Sequence, residues 1–571
     1  MRHFIFLFLV VVSVAGHAQL LVRNTTVVDV ENKKLLPNQD VLVENGIITA
    51  IGKKLKAGSA IQIIDGSGKY LMPGLVDAHV HFFQSGSIYT RPDAIDLRKY
   101  KPFEEEISWV HNNMESFLRR YTMAGITSVV DVGSTINFLK QRDSFRTKEY
   151  APSVYMTGPL LTTWEPEVFQ KLGDDEPFYL MKSVEDARRY VQKQLPYKPD
   201  FIKVWYILLG QNKDSAARAH LPMVQAVIDE AHKNNLRVAV HATEQITARL
   251  AVEAGADFLV HNVEDEPIGS SFVQLLKNKK TVLSPTMVVA GNYNKAFAQS
   301  YQPTAEDFRY AHPSPLTAVL DLKGVEDSAL TKAYKAYALG NEESAKKEDA
   351  LRMANLKKLL DGGVIIATGT DAGNIGTQHV SSYFDELKSM QESGMDNWQL
   401  LQASTINGAK AVGREAEFGS IKKGKRADLL LLTKNPADNL ANWQSIEFVI
   451  NKGIAIKPDS LRKSTPVELA DQQLLAYNAH NLEAFLEPYA EDVEVYGFPN
   501  NLEIKGKEQM RKSYAFLKTT PKLYCRLLNR IVQGNMVIDH EEVWGFGEKP
   551  FYGIAIYEIK NGKIQKAWFP Q

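Results

Sequence analysis

A chain of 571 residues, 44% hydrophobic and 23% charged, has room for roughly two or three ordinary cores and lacks the bias of a disordered or fibrous protein. Its 67 Lys and Arg balance 67 Asp and Glu, so no global field draws it to nucleic acid or to an anionic membrane, and a small-molecule substrate is the default partner. The single cysteine, Cys525, excludes an internal disulfide.

Residues 1–18, MRHFIFLFLVVVSVAGHA, open with Arg2 as a short positive region, continue as an apolar run from Phe4 to Ala15 and end on small residues before Gln19. This is the pattern of an export signal peptide. The run falls short of the roughly 20 apolar residues that span a bilayer. The sequence therefore predicts an exported protein, periplasmic or secreted, with no membrane attachment once the signal is removed.

Residues 19–72 alternate short strands with turns, as in LLVRNTTVVDV and QDVLVENGIITAIG. The same texture returns over 415–460 in KRADLLLLTKNP and SIEFVINKGIAI, so the two pieces are expected to form one composite β-sandwich. Between them, residues 73–414 alternate apolar strand-like runs with amphipathic helical stretches. Eight runs (GLVDAHVH, SVVDVG, SVYMTG, FIKVWY, RVAVHAT, FLVHN, VLSPTM and VIIATGTDA) predict an α/β fold of the (β/α)8 TIM-barrel type, with its active site at the C-terminal ends of the strands. The longest insertion, about 292–348, precedes the last run and is expected to lie over the mouth as a lid. Residues 462–571 change pattern again, to a helix followed by strands with hairpin turns at QGN and KNG, and predict a separate α+β domain.

Six polar residues interrupt strands that otherwise read as buried: His79 and His81 on the first, Lys203 on the fourth, His241 on the fifth, His261 on the sixth and Asp371 on the eighth. Residues i and i+2 share a strand face, so His79 and His81 aim at one place. Singly, a buried histidine is more often a satisfied core residue, Lys203 can snorkel and Asp371 can cap a helix. Jointly they converge only if the barrel closes, and burying six such groups unpaired costs several kcal/mol each. A bound cation removes that cost. Four imidazoles and a carboxylate suit Zn2+ first, then Mn2+ or Fe2+. Such a cation lowers the pKa of its water toward 7 and so makes a hydroxide nucleophile available. Substrate contacts are expected in the loops after the strands, with Trp205, Tyr206 and His379 as candidates.

The stretches PGLVDAHVH, FIKVW, VAVHATE, ADFLVHNVEDEP, GTDAG and GSIKKGKRADLLLL make residues 20–456 resemble the amidohydrolase superfamily, in its exported branch related to imidazolonepropionase and metal-dependent Xaa-Pro dipeptidases. The resemblance implies that His79 and His81 bind one metal, that His241 and His261 bind a second, and that Asp371 completes the first site and serves as general base. It also implies that Lys203 can be carboxylated by CO2 to bridge two metals; members with one ion exist as well. The activity implied is hydrolysis of a C–N amide bond in a dipeptide, an N-acyl amino acid or a similar small molecule. Hydrolysis of a cyclic amide (an imidazolone or lactam) or of an ester is the alternative within the class, and a non-catalytic ligand-binding protein is the alternative outside it. Residues 462–571 resemble, by element order, the cone-shaped fold of nuclear transport factor two and ketosteroid isomerase, which implies a role in forming a homo-oligomer or in holding a hydrophobic ligand.

Overall fold

A computed structural model describes residues 19–56, 58, 61–325 and 327–570. The expected export signal, residues 1–18, lies outside the described residues. Among the described residues no helix is long and apolar enough to cross a membrane.

The eight predicted runs all form strands of one parallel barrel: β1 (Leu75–Val80), β2 (Ile126–Asp131), β3 (Ser153–Met156), β4 (Phe201–Trp205), β5 (Arg237–His241), β6 (Phe258–Val260), β7 (Val282–Ser284) and β8 (Ile365–Ile366). Every residue of β1 and β2 is buried, as expected where helices cover one face and the barrel interior fills the other. The third barrel position is broken. β3 pairs with β2, and after Gly158 and Pro159 the chain resumes at Leu160–Thr162 to pair with β4. Closure between β8 and β1 runs through backbone bonds rather than a regular ladder: Ala78 N donates to Thr368 O and His81 N to Ala372 O, both at 2.8 Å.

The two flanking pieces build one eight-stranded sheet, in the order 454–456, 446–451, 429–432, 70–73, 19–29, 34–44 and 47–52, with 62–65 on the free side of 19–29. Its remote parts meet, because Ala427 N donates to Gly46 O at 2.7 Å and Ile48 N to Lys425 O at 2.8 Å. The expected sandwich is therefore a single sheet curled on itself. Leu429 and Leu431 enter its own core with Val22 and Val43, whereas Leu430 and Leu432 enter the core shared with the barrel. This two-sided burial explains the unbroken LLLL run.

The insertion begins with helix Val289–Phe297 and continues through short helices to Ser328–Gly340; helix Glu342–Asp361 then leads directly into β8 and belongs to the barrel's outer ring. The last domain packs helix Pro466–Asn478 into a six-stranded sheet around its own core. The same helix docks on the insertion helix Pro313–Ala318. There Glu468 accepts a hydrogen bond from Ser116 at 2.7 Å and lies 2.8 Å from His312 and 3.6 Å from Arg120.

Candidate active site

β1 delivers His79 and His81 to the barrel mouth with their Nε2 atoms 3.3 Å apart. Asp371, on the segment after β8, places Oδ1 at 3.1 Å from both of those nitrogens. His261, just past β6, stacks edge-on with His79 at 4.9 Å between ring centroids and with His241 at 4.4 Å. His79, His261 and Asp371 each offer a ligand atom within 4.8 Å of the others. Lys203, on β4 and 1% exposed, lines the same cavity. The structure thus brings all six strand-borne residues together.

Local backbone holds them there. His261 and Asp371 lie in the left-handed region, at φ 81° and 59°, which costs on the order of 1–3 kcal/mol for a residue with a side chain. Gly369 lets the segment after β8 touch β1: a Cβ at this position would lie 2.7 Å from His79 Cβ and 2.8 Å from His79 N.

The donor set fits a divalent cation. His81 Nδ1 is 2.8 Å from Gly133 O, and since a carbonyl only accepts, Nδ1 carries the proton. In the neutral ring Nε2 then turns a lone pair toward His79 and Asp371. Asp371 Oδ1 and His79 Nδ1 are buried with no hydrogen-bond partner among the described residues. Acceptor atoms packed this closely repel one another unless a positive charge lies among them. Ligands sharing a zinc at about 2.1 Å with tetrahedral angles stand roughly 3.4 Å apart, close to the 3.1 and 3.3 Å edges found here.

Burial pushes His79 down to about 4 and holds His241 and His261 well below the ordinary imidazole range, so these rings stay neutral and available as ligands. Asp371 behaves oppositely. Burial would raise its carboxyl; His79 and His81, 3.1 Å away, hold it well below the usual carboxylate range when they carry or donate a proton, and a bound cation would take over that role when both rings act as neutral ligands. Burial also pushes the Lys203 ammonium down to about 7, against the pull of Asp371.

The cluster forms the floor of a cavity of about 320 Å3. Of the three residues expected to touch substrate, Trp205 lines it, packed on Phe178 at 4.8 Å. Tyr206, one residue on and therefore on the other strand face, is buried and donates its hydroxyl to Ala217 O in the helical ring. His379 does not line the cavity: Nδ1 is 2.9 Å from the Tyr121 hydroxyl, Nε2 is 2.9 Å from Gln84 O, and its ring stacks on Phe82. Among the liners that escape the sequence reading are Arg91, Tyr293 and Asn374, with Gln84, Thr243 and Glu264 as further polar ones. Arg91 donates from Nε and Nη2 to Asp93 at 2.7 and 2.6 Å and from Nη1 to Asn374 Oδ1 at 2.6 Å, and Tyr293 donates to the same oxygen at 2.9 Å. The other two of its five guanidinium N–H groups make no hydrogen bond among the described residues.

The barrel, its curled sheet and the His–Asp cluster define a hydrolase-type amidohydrolase scaffold, and the chain belongs to the amidohydrolase family, which it matches over residues 70–456. Residues 470–567 match the SnoaL-like domain. The 5-methylthioadenosine/S-adenosylhomocysteine deaminase of Carboxydothermus hydrogenoformans is 23% identical over 457 residues, covering 74% of this chain and 87% of the relative. The imidazolonepropionase of a Geobacillus species is 25% identical over 423 residues, covering 70% and 84%. Among solved structures, a Xaa-Pro dipeptidase with bound methionine superposes with a TM-score of 0.56 at 20% identity, over 77% of this chain and all of that one, which supports the fold.

Proposed function

We propose that this amidohydrolase cleaves a C–N amide bond in a small substrate that carries a carboxylate, such as a dipeptide or an N-acyl amino acid. The observation that carries the reading is Arg91, a guanidinium in the wall of the same cavity as the His–Asp cluster. Asp93 and Asn374 fix its plane, and its spare N–H groups suit a carboxylate. Trp205 and Phe178 supply an apolar wall for the side chain next to the scissile bond.

His79, His81 and Asp371, with His241, His261 and Lys203 beside them, would hold one or two divalent ions, zinc above all. A divalent ion supplies an acidified water and polarises the scissile carbonyl. Asp371 stays ionised at neutral pH and takes the proton from the attacking water on a carboxylate oxygen, then hands it to the leaving nitrogen. The neutral rings of His241 and His261 leave Asp371 as the proton carrier of the cluster. Lys203, poised near 7, has the neutral amine needed to take up CO2 and become an anionic ligand.

The test is a panel of dipeptides and N-acyl amino acids, each beside its C-terminal carboxamide, with lactams, imidazolones and esters alongside. Preference for the free carboxylate by at least tenfold in kcat/KM supports the reading. Turnover of lactams or esters alone moves the activity to the cyclic-amide or ester alternative. We further propose that the protein is exported, as its first eighteen residues suggest, and that the last domain pairs two copies through the outer sheet face where Ile531, Trp544 and Ile554 are exposed. Cell fractionation and light scattering test these two points.

A further inference from the structure

We propose that the C-terminal cone holds a second ligand site, separate from the barrel cavity, for an organic cation: an amine or quaternary ammonium that carries apolar groups. A cavity of about 490 Å3 opens within the cone, the size that takes a drug-like small molecule. Five tyrosines and five phenylalanines line it, among them Tyr477, Phe485, Tyr514 and Tyr557. The charged side chains in its lining are Glu541 and Glu503, and no Lys or Arg joins them among the described residues.

Glu541 lies on strand Met536–Trp544, on the face it shares with Val537, Asp539 and Val543. His540 and Trp544 take the opposite, outer face, where both are exposed. The guanidinium nearest the inner face, Arg530, is already engaged by Asp539 at 2.6 and 2.7 Å and by Asp471 at 2.5 Å. Glu541 is left with the Cys525 thiol and no ion pair among the described residues. Burial, and then the charge of Asp539, pushes its carboxyl up to about 8 against the weaker pull of Arg530, whose guanidinium is already paired.

Aromatic faces carry negative potential, and a carboxylate adds a full charge; both attract a desolvated cation. An anion would meet Glu503 and, once it ionises, Glu541 in this cavity. A neutral apolar guest would fill the rings and leave Glu541 unmatched in a low-dielectric pocket. The carboxyl therefore selects the charge of the guest, and the ring lining selects its apolar substituents.

Calorimetric titration of the full-length protein at about pH 8 with benzyltrimethylammonium, benzyl alcohol and benzoate tests this. The cation should bind at one site at least tenfold tighter than benzyl alcohol, with benzoate binding weakest. Glu541→Gln should weaken the cation at least tenfold and leave benzyl alcohol unchanged. Phe546→Ala, at the exposed rim, should weaken the cation severalfold, which keeps the test open if the first variant folds poorly. Asp371→Asn should bind the cation as the parent does, which locates the probe outside the barrel. The proposal fails if the cation does not bind at millimolar concentration, if benzoate or benzyl alcohol binds as tightly, if both cone variants leave its affinity unchanged, or if Asp371→Asn abolishes it.

Discussion

Replacing Arg91 by methionine keeps the bulk of its stem and removes the guanidinium, so it isolates carboxylate recognition. Hydrogen bonds between charged partners are worth about 1.5–3 kcal/mol each, and every 1.4 kcal/mol is tenfold. The two spare N–H groups of Arg91 therefore predict a loss of roughly 3 kcal/mol, or about 150-fold in kcat/KM, on a substrate with a free carboxylate. The single variant also strands Asp93, whose carboxyl is held below the usual range by Arg91 once its burial is outweighed. That unpaired anion beside the cavity repels a carboxylate and enlarges the loss. Arg91→Met/Asp93→Asn removes the repulsion and should return the loss to about 150-fold. Because the carboxylate is bound alike in ground and transition states, the effect should fall on KM more than on kcat. The assay is steady-state hydrolysis of one N-acyl amino acid and of its carboxamide. The carboxamide should be nearly indifferent to both changes. Equal losses on the two substrates, or a loss below threefold on the acid, would refute carboxylate recognition by Arg91.

Dialysis against a chelator should abolish turnover and added zinc or manganese restore it, with metal content measured by mass spectrometry; full activity in metal-free protein removes the basis of the site. Asp371→Asn should retain the fold and lose several orders of magnitude in kcat, since an amide cannot accept the water proton; near-native turnover reassigns the base. Lys203→Ala should bind fewer ions and recover part of its activity in short-chain carboxylates, while native mass spectrometry of the parent shows the added CO2; a bare lysine with one ion supports a mononuclear centre. At the cone interface, burial raises Glu468 but His312 and Arg120 outweigh it and hold it at about 2. A folded value below the unfolded one gives stability that is present above about pH 4.3 and lost as pH falls toward 2, on the order of 3 kcal/mol in all. The gap in urea stability between the parent and Glu468→Gln, both metal-free, should therefore shrink by roughly half from pH 7 to pH 3, and an unchanged gap counts against the pairing.

Strand positions are legible in this sequence because each barrel strand is a short apolar run with a hard boundary. Even β8, with two residues in regular pairing, is announced by VIIATGTDA. The metal-ligand candidates are legible for the same reason in reverse: an imidazole or a carboxylate stands out on an apolar strand. Arg91 and Asn374 sit in irregular segments, where polar residues are ordinary and no periodicity says which way a side chain points. Tyr293 is hidden on the insertion, whose helical spacing says nothing of its path across the mouth. Tyr206 and His379 mislead for a related reason, since position after a strand does not fix direction. The break in the third strand and the curl of the flanking sheet are made by backbone bonds between remote segments, such as Ala427 to Gly46, and these leave no side-chain pattern to read.

The curled sheet also sets a schedule for synthesis. Strand 70–73 pairs with 19–29 on one side and with 429–432 on the other, so its second edge stays open until residue 429 has been made, 356 residues after Pro73 (429 − 73). At roughly 5–20 residues per second this is on the order of 20–70 s of translation. During that interval the apolar strands at the start of the chain present an unpaired edge, which is a template for misassociation. A holding chaperone, or threading across a membrane if the chain is exported as proposed, would keep that edge from misassociating. Any truncation that ends before Leu429 should accumulate as aggregate rather than as a smaller enzyme.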